Sequence, residues 1–436
     1  MKKNNHQIDI IDIAIIGGGA SGIMAAITAA EQGKKVLLLE QQEIAGRKLA
    51  ATGNGKCNFT NINMKKEAFF QGEETDFLDY ALHIFPPEKA IAFFKESGIY
   101  TTQKNGYYYP LSGQAELVKE ALLFRVKNRT KNILCKYSCR VTELKKKGTI
   151  FFVTLENKYQ YQAKKVILSC GNMAAPQLGG SASGLLLAKQ MGHTIIPVLP
   201  ALCGLKTSYP NWNKIGNIRI LAEISIYCEK EKKQLIGKEH GELQITSYGI
   251  SGIPVFQLSI PTVRLLEKGT IITAVLNFFP KELKKDNVSS SFYSIFLDFL
   301  KKQSLQEPLK PILLALSGIL PEKLSKLILI KVFGKQKKNQ QETMPLQSIE
   351  EKKLEELVQV IQAFEIPIIG YTGFEHAQAA SGGVCTKEIS PQTMESKLVS
   401  GLYFTGELID IVGICGGYNL HWAWASGYLA GMAAAK

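Results

Sequence analysis

Gly17, Gly19 and Gly22 stand at the spacing of a dinucleotide-binding loop, and a carboxylate, Glu40, follows 18 residues after the last of them. In such a loop the first glycine permits a tight turn, the second lets a pyrophosphate approach the backbone, and the third lets a helix pack closely on a strand. Ala20 and Ser21 then open a helix whose free amides face the phosphates. Glu40, with Gln41 beside it, can accept both ribose hydroxyls of an adenosine, and its charge disfavours a 2′-phosphate. The elements that must position these residues surround them. IDIAII reads as a buried strand, the Ala-rich stretch after the glycines as a helix, and VLLLE as a second strand ending in the acid. Strand, glycine turn, helix, strand and acid make the βαβ dinucleotide unit, and up to this point FAD and NAD fit it equally.

The segment AGRKLAATGNGKCNFTN, Ala45 to Asn61, is dense in small and polar residues and reads as a contact loop, not a regular helix or strand. Gly46, Thr52 and Cys57 belong to it. Arg47 and Lys48 can neutralise phosphate or an anionic reduced flavin, and Gly53 and Gly55 let backbone lie against a flat ring. Asn54, Asn58 and Thr60 supply hydrogen-bonding groups. Near the other end of the chain a short apolar strand leads to Gly406 and the acid Glu407, and then Gly416 and Gly417 open a helix at Tyr418, Asn419 and Leu420. Glu407 can accept a ribityl hydroxyl. The helix amides stand where a flavin N1 and C2 carbonyl gain negative charge on reduction. Two acid-ended glycine motifs fit one extended FAD.

GRKLAATGNGKCNFTN, TSYGISGIPVFQLS (Thr246 to Ser259) and TMESKLVSGLYFTGELIDIVGICGGYNLHWAWASGYLAG resemble the BaiN/aminoacetone oxidase-like flavoprotein family over nearly the whole chain. The resemblance implies a discontinuous Rossmann-like FAD domain of α/β class, carrying an inserted β-barrel-like domain and a small helical one, with FAD-dependent oxidoreductase activity. It implies two kinds of reaction: reduction of a conjugated double bond in an oxidised bile acid, another steroid or a smaller enone, and oxidation of an amine such as aminoacetone. Under the first, hydride goes from flavin to the β-carbon of an α,β-unsaturated ketone while a donor polarises the carbonyl and an acid protonates the α-carbon. Arg47, His376, Tyr418 and His421 are the candidates for those two roles. Cys415 stands where the family usually has Thr, and His421 where it commonly has Gln.

The expected boundaries are 1–193 with 364–436 for the FAD domain, 194–275 with 336–363 for the mainly β insertion, and 276–335 for the helical domain. Thr194 to Val275 shows short alternating segments broken by Gly and Pro, and Leu283 to Phe333 shows apolar residues at helical spacing broken by Pro308, Pro311 and Pro321. VILSCG, ending at Cys170 and Gly171, reads as a strand returning to the cofactor. Cys139 to Val153 reads as a hairpin in which Val141 offers backbone atoms to adenine. Small residues and glycines around His376 make it the imidazole of most interest, whereas Tyr107, Tyr108 and Tyr109 read as a packing cluster. His6, His83, His193 and His240 show no partner spacing.

The 52 Lys and Arg against 38 Asp and Glu leave +14, which would suit an anionic ligand, a membrane surface or nucleic acid. Much of the excess lies in runs such as Lys145 to Lys147 and Lys335 to Lys338, which read as solvated surface. No run has the aromatic spacing of a nucleic-acid platform. A small-molecule substrate is therefore expected and nucleic acid is not; a basic flavoprotein with a nucleic-acid-associated role is the rival of another class. The eight cysteines form no CxxC pair and no metal spacing, so no metal is expected and reduced thiols in a cytoplasm are. No secretory signal or membrane span is read, since Ile10 to Ile16 contains Asp12 and stops at three glycines. Without a second GxGxxG, NAD(P)H is expected only as a transient electron donor.

Overall fold

The computed structural model describes residues 10–72, 77–129, 131–229, 233–279, 292–336 and 339–436. His6, Lys337, Lys338 and residues 283–291 of the expected helical stretch lie outside the described residues. Two compact units emerge, one built from residues up to Ala201 together with Phe374–Lys436, the other from Leu202–Gly373.

The first unit is Rossmann-type. Strand Ile11–Ile16 runs parallel to Val36–Leu39 on one side and to Gln160–Leu168 on the other, and Ile133–Lys136 extends the parallel set beyond Val36–Leu39. Leu402–Phe404 adds a further parallel strand on Gln160–Leu168. The expected hairpin is present: Val141–Lys147 and Ile150–Leu155 pair antiparallel on the same sheet. Strands such as IDIAII, whose last four residues are buried, and VLLL are near-continuous apolar runs because this sheet is covered on both faces. Helix Ala20–Glu31 packs on it with Ile23, Met24, Ala26 and Ile27 fully buried or nearly so.

Helix Tyr418–Ala434 crosses Ala20–Glu31 at very close range, and glycine makes that possible. A Cβ added at Gly427 would stand 2.4 Å from the Ser21 carbonyl oxygen, and one at Gly431 2.8 Å from that of Ala25. The same helix is fixed at its start by two buried indoles: Trp422 donates to the Gly406 carbonyl at 3.0 Å and Trp424 to that of Phe59 at 3.1 Å.

The second unit holds a closed barrel of Leu205–Thr207, Gly249–Ser251, Lys233–Thr246, Ile218–Glu229, Ile271–Asn277 and Phe364–Tyr371. From sequence, Phe364–Tyr371 is expected in the nucleotide domain. It instead pairs with Ile271–Asn277 and Leu205–Thr207 and closes the barrel, burying Phe364, Ile366 and Ile368. Alternation shows that a strand has one buried face, and it does not show which sheet receives it. Helices Phe292–Gln306, Ile312–Leu316, Glu322–Phe333 and Glu351–Gln362 share one apolar core with the barrel, through residues such as Leu300, Leu316, Ile328 and Leu357. Among the described residues no helix is long and apolar enough to cross a membrane.

Candidate cofactor cleft

A cleft of about 1300 Å³, counting its open mouth, runs through the first unit from the end of strand Val36–Leu39 to the start of helix Tyr418–Ala434. Of the residues singled out from sequence it is lined by Gly17, Gly19, Ala20, Ser21, Glu40, Gln41, Gly46, Arg47, Lys48, Thr52, Val141, Cys170, Gly171, Gly406, Glu407, Asn419 and Leu420. Segments from opposite ends of the chain, Gly17 and Leu420 among them, therefore converge on one groove.

The glycine turn has the geometry that its spacing predicts. Gly17 has φ 106°, and a Cβ there would lie 2.4 Å from the Ser169 carbonyl oxygen. A Cβ at Gly22 would lie 2.0 Å from the Gly17 carbonyl oxygen, whereas one at Gly19 would meet nothing within 4 Å. Gly22 thus belongs to packing and Gly19 leaves a cradle in the cleft wall. Gly19 caps helix Ala20–Glu31 with no side-chain hydrogen bond, so the amides of its first turn remain directed at a ligand.

Glu40 is buried at the end of its strand, and its two oxygens accept from the amides of Gly18 at 2.7 Å and Gln42 at 2.8 Å. Bonds from neutral amides to a carboxylate are the stronger kind and fix the acid's rotamer. Gln42 accepts from Arg47 Nη1 at 2.6 Å, and Gln41 donates to the Gly179 carbonyl at 3.2 Å. At the other acid, Lys48 Nζ lies 2.8 Å from one Glu407 oxygen while the amide of Ala380 donates to the other at 3.0 Å. Both oxygens of Glu407 are thus already engaged by protein donors, and a hydroxyl approaching it must share them. The cradle at Gly19, the uncapped helix start and the buried acid at Glu40 fit an adenine dinucleotide. Gly406 and the loop that carries Lys48 complete a second half suited to a ribityl chain and ring.

The remaining sequence candidates do not line this cleft. Gly53, Asn54 and Gly55 form a left-handed turn with φ 57°, 53° and 82°, next to a short helix, Arg47–Ala50, where no regular structure was expected. Cys57 is buried and its thiol is pushed up to about 12 by that burial; Cys170 and Cys415 are pushed up to about 12 for the same reason. All three stay protonated at neutral pH. With its amide oriented to satisfy both ends, Asn58 donates to the carbonyls of Tyr108 at 3.1 Å and Thr60 at 3.0 Å and accepts from the amide of Gly417 at 3.2 Å. Tyr418 is buried, with its hydroxyl donating to the Asn63 carbonyl at 3.3 Å.

His421 is sealed in the core. Its Nε2 lies 2.8 Å from the Phe85 carbonyl, which can only accept, so Nε2 carries the proton and Nδ1 accepts from the Thr60 hydroxyl at 2.9 Å. Burial pushes its pKa down to about 4, so the ring is neutral at pH 7 with both nitrogens occupied. His376 is exposed and stands two residues from Gln378, which does line the cleft. His193, given no partner from sequence, has two: Glu388 at 3.1 Å and Ser396 at 2.8 Å. This resembles a hydrolytic triad, but the Ser396 oxygen also accepts from the amides of Leu398 and Val399 and is buried, which makes it a loop staple.

Sequence reading missed Gly18, Gln42, Ser169, Asn172, Leu178, Gly179, Gly180, Gln378 and Trp422, all of which line the cleft. The Gly179–Gly180 pair and the Trp-rich WAWASG were visible signals; Asn172 and Gln378 carried none. Asn172 donates from one nitrogen to the carbonyls of Gly382 and Glu407, each at 3.1 Å, tying strand Ala379–Val384 and the turn Gly406–Leu408 to the groove.

Comparison with known proteins agrees with this architecture. The family model described as HI0933-like protein Rossmann domain matches residues 11–433. The chain is 39% identical over 426 residues to the 3-dehydro-bile acid delta(4,6)-reductase of Clostridium scindens, spanning 97% of this chain and 99% of that protein. It is 30% identical over 431 residues to the ribosomal RNA dihydrouridine synthase of Haemophilus influenzae, spanning 97% and 98%. The enzyme of the same description from Escherichia coli is 26% identical over 423 residues, spanning 96% of each. The chain belongs to the HI0933-like Rossmann family.

Proposed function

We propose that the protein reduces a carbon–carbon double bond conjugated to a carbonyl. The observation that carries the proposal is a long cleft with a buried acid at one end and a second glycine turn and acid at the other; the 39% identity to a 3-dehydro-bile acid delta(4,6)-reductase supports it. FAD held in this cleft would supply two-electron chemistry, a hydride for the β-carbon, with a proton then taken up at the α-carbon. The chain's own residues bind and orient. Glu40 holds the adenosine ribose, the amides after Gly19 hold the pyrophosphate, and Val141 borders the adenine. The Lys48–Glu407 pair would meet the ribityl end, and the backbone at Asn419 and Leu420, in the first turn of helix Tyr418–Ala434, would stabilise charge at the pyrimidine edge of the ring.

An enone of steroid type or smaller is the first acceptor to test. A uracil ring within RNA is the second, because its C5–C6 double bond is conjugated to the C4 carbonyl and so presents the same reacting atoms. Two relatives described as ribosomal RNA dihydrouridine synthases and the net charge of +14 favour it. The deciding experiment is anaerobic. Holoenzyme reduced with dithionite is mixed separately with progesterone, with unmodified ribosomal RNA, and with air, and flavin reoxidation is followed by absorbance. Fast reoxidation by progesterone with slow reaction in air supports the enone. Reoxidation by RNA, with a two-hydrogen mass gain on uridine, supports the second acceptor. Reoxidation by air alone overturns both.

A further inference from the structure

Tyr107, Tyr108 and Tyr109 read as packing in the sequence, yet none is sealed; each is half-buried. They form strand Tyr107–Pro110, paired antiparallel with Thr101–Lys104 and Thr60–Asn61. Strand alternation sends Tyr107 and Tyr109 to one face and Tyr108 to the other. The Tyr107 ring lies against Gly416: a Cβ on that glycine would stand 2.6 Å from Tyr107 Cε1 and 3.3 Å from Tyr418 Cε2. Only glycine, here at φ 122°, lets the two rings close on this residue. Asn61 donates to the Gly416 carbonyl at 3.1 Å and holds the loop against the strand.

The phenols of Tyr109 and Tyr418 are both raised above their ordinary range, by burial first and by the Tyr107 hydroxyl second. The three oxygens therefore share one neighbourhood. That of Tyr418 is committed to Asn63. Tyr107 does not line the cofactor cleft, but the loop it touches at Gly416 leads directly to Asn419 and Leu420, which do. Tyr107 thus packs on the loop that leads into the cleft wall and is not itself part of that wall.

We propose that Tyr107 donates a hydrogen bond to the carbonyl oxygen of the acceptor, with Tyr109 walling the same face; this rests on the reading of the protein as a reductase of a conjugated double bond. Hydride arriving at the β-carbon shifts the π electrons toward that oxygen, and a phenol donor stabilises the charge where it develops. The flat ring also suits a planar conjugated acceptor.

Tyr107→Phe keeps the ring and removes only the donor. Oxidised holoenzyme carries no hydride, so titrating it with progesterone or unmodified ribosomal RNA while following the flavin bands reads binding alone. Reduced holoenzyme mixed with the same probes reads the reduction. Tyr107→Phe is expected to slow reoxidation by the probe at least about tenfold and to weaken its spectral perturbation, with FAD content and reoxidation by air unchanged. Tyr108→Phe, on the opposite face, is expected to match wild type. Equal binding and equal reoxidation in Tyr107→Phe and wild type overturn the role of Tyr107 while leaving the reductase reading intact. A wild-type enzyme that neither probe perturbs nor reoxidises overturns both.

Discussion

Glu40→Gln changes one buried oxygen into an amide nitrogen and removes a charge, with almost no change of shape. In the native cleft both carboxylate oxygens accept from backbone amides, Gly18 at 2.7 Å and Gln42 at 2.8 Å. Glutamine has one acceptor, so one amide loses its partner and faces another donor. A lost bond to a charged acceptor costs about 1.5–3 kcal/mol, and a buried amide left unpaired costs in the same range. The apoprotein should therefore lose about 2–4 kcal/mol, visible as a lower melting temperature. Each ribose hydroxyl that no longer finds a carboxylate adds about 1.5–3 kcal/mol to the cofactor's loss, or roughly tenfold to a hundredfold in Kd per bond. The assay is the ratio of flavin to protein absorbance after exhaustive dialysis, with melting of the stripped protein alongside. FAD retention equal to wild type would refute the ribose assignment, and an unchanged apoprotein melt would refute the hydrogen-bond reasoning itself.

Gly427→Ala forces a methyl to within 2.4 Å of the Ser21 carbonyl oxygen, so the helix crossing must open; overpacking of this kind costs about 1–3 kcal/mol, and melting with FAD content measures it. His421 predicts a pH dependence with a defined sign. Its folded pKa of about 4 lies below the ordinary 6.5, so its contribution is complete above pH 6.5 and is lost as pH falls toward 4, by roughly 3 kcal/mol in all. His421→Gln, which cannot titrate, should show a shallower fall in melting temperature over that window, and parallel curves would contradict the burial argument.

The nucleotide half of the first unit was legible because its determinants are local. Gly17, Gly19, Gly22 and Glu40 lie within 24 consecutive residues, and each meets the steric or polar demand its type implies. What was not legible arrives by crossover. Asn172 and Gln378 reach the cleft from segments about 200 residues apart, and no spacing rule links them. His376 illustrates the converse. Its small neighbours looked like room for a ligand, but Gly382 and Gly383 are small because a Cβ on either would meet the Pro197 or Leu408 carbonyl oxygen within 2.5 Å. Small residues mark close approach, and sequence does not say what approaches. Likewise Phe364–Tyr371 showed its buried face but not its sheet.

The crossing of helix Tyr418–Ala434 over helix Ala20–Glu31 also sets the order of events during synthesis. Thr405 and Ser21 join their hydroxyls at 3.0 Å across 384 positions, and at roughly 5–20 residues per second Ser21 waits roughly 20–80 s for that partner to be made. Throughout that interval the face of Ala20–Glu31 that carries Ser21 and Ala25 lacks the helix that covers it. A nascent chain of this protein thus displays its cofactor helix to the cell well before it can hold a cofactor, and the barrel unit, complete once Tyr371 has been added, has the opportunity to fold first.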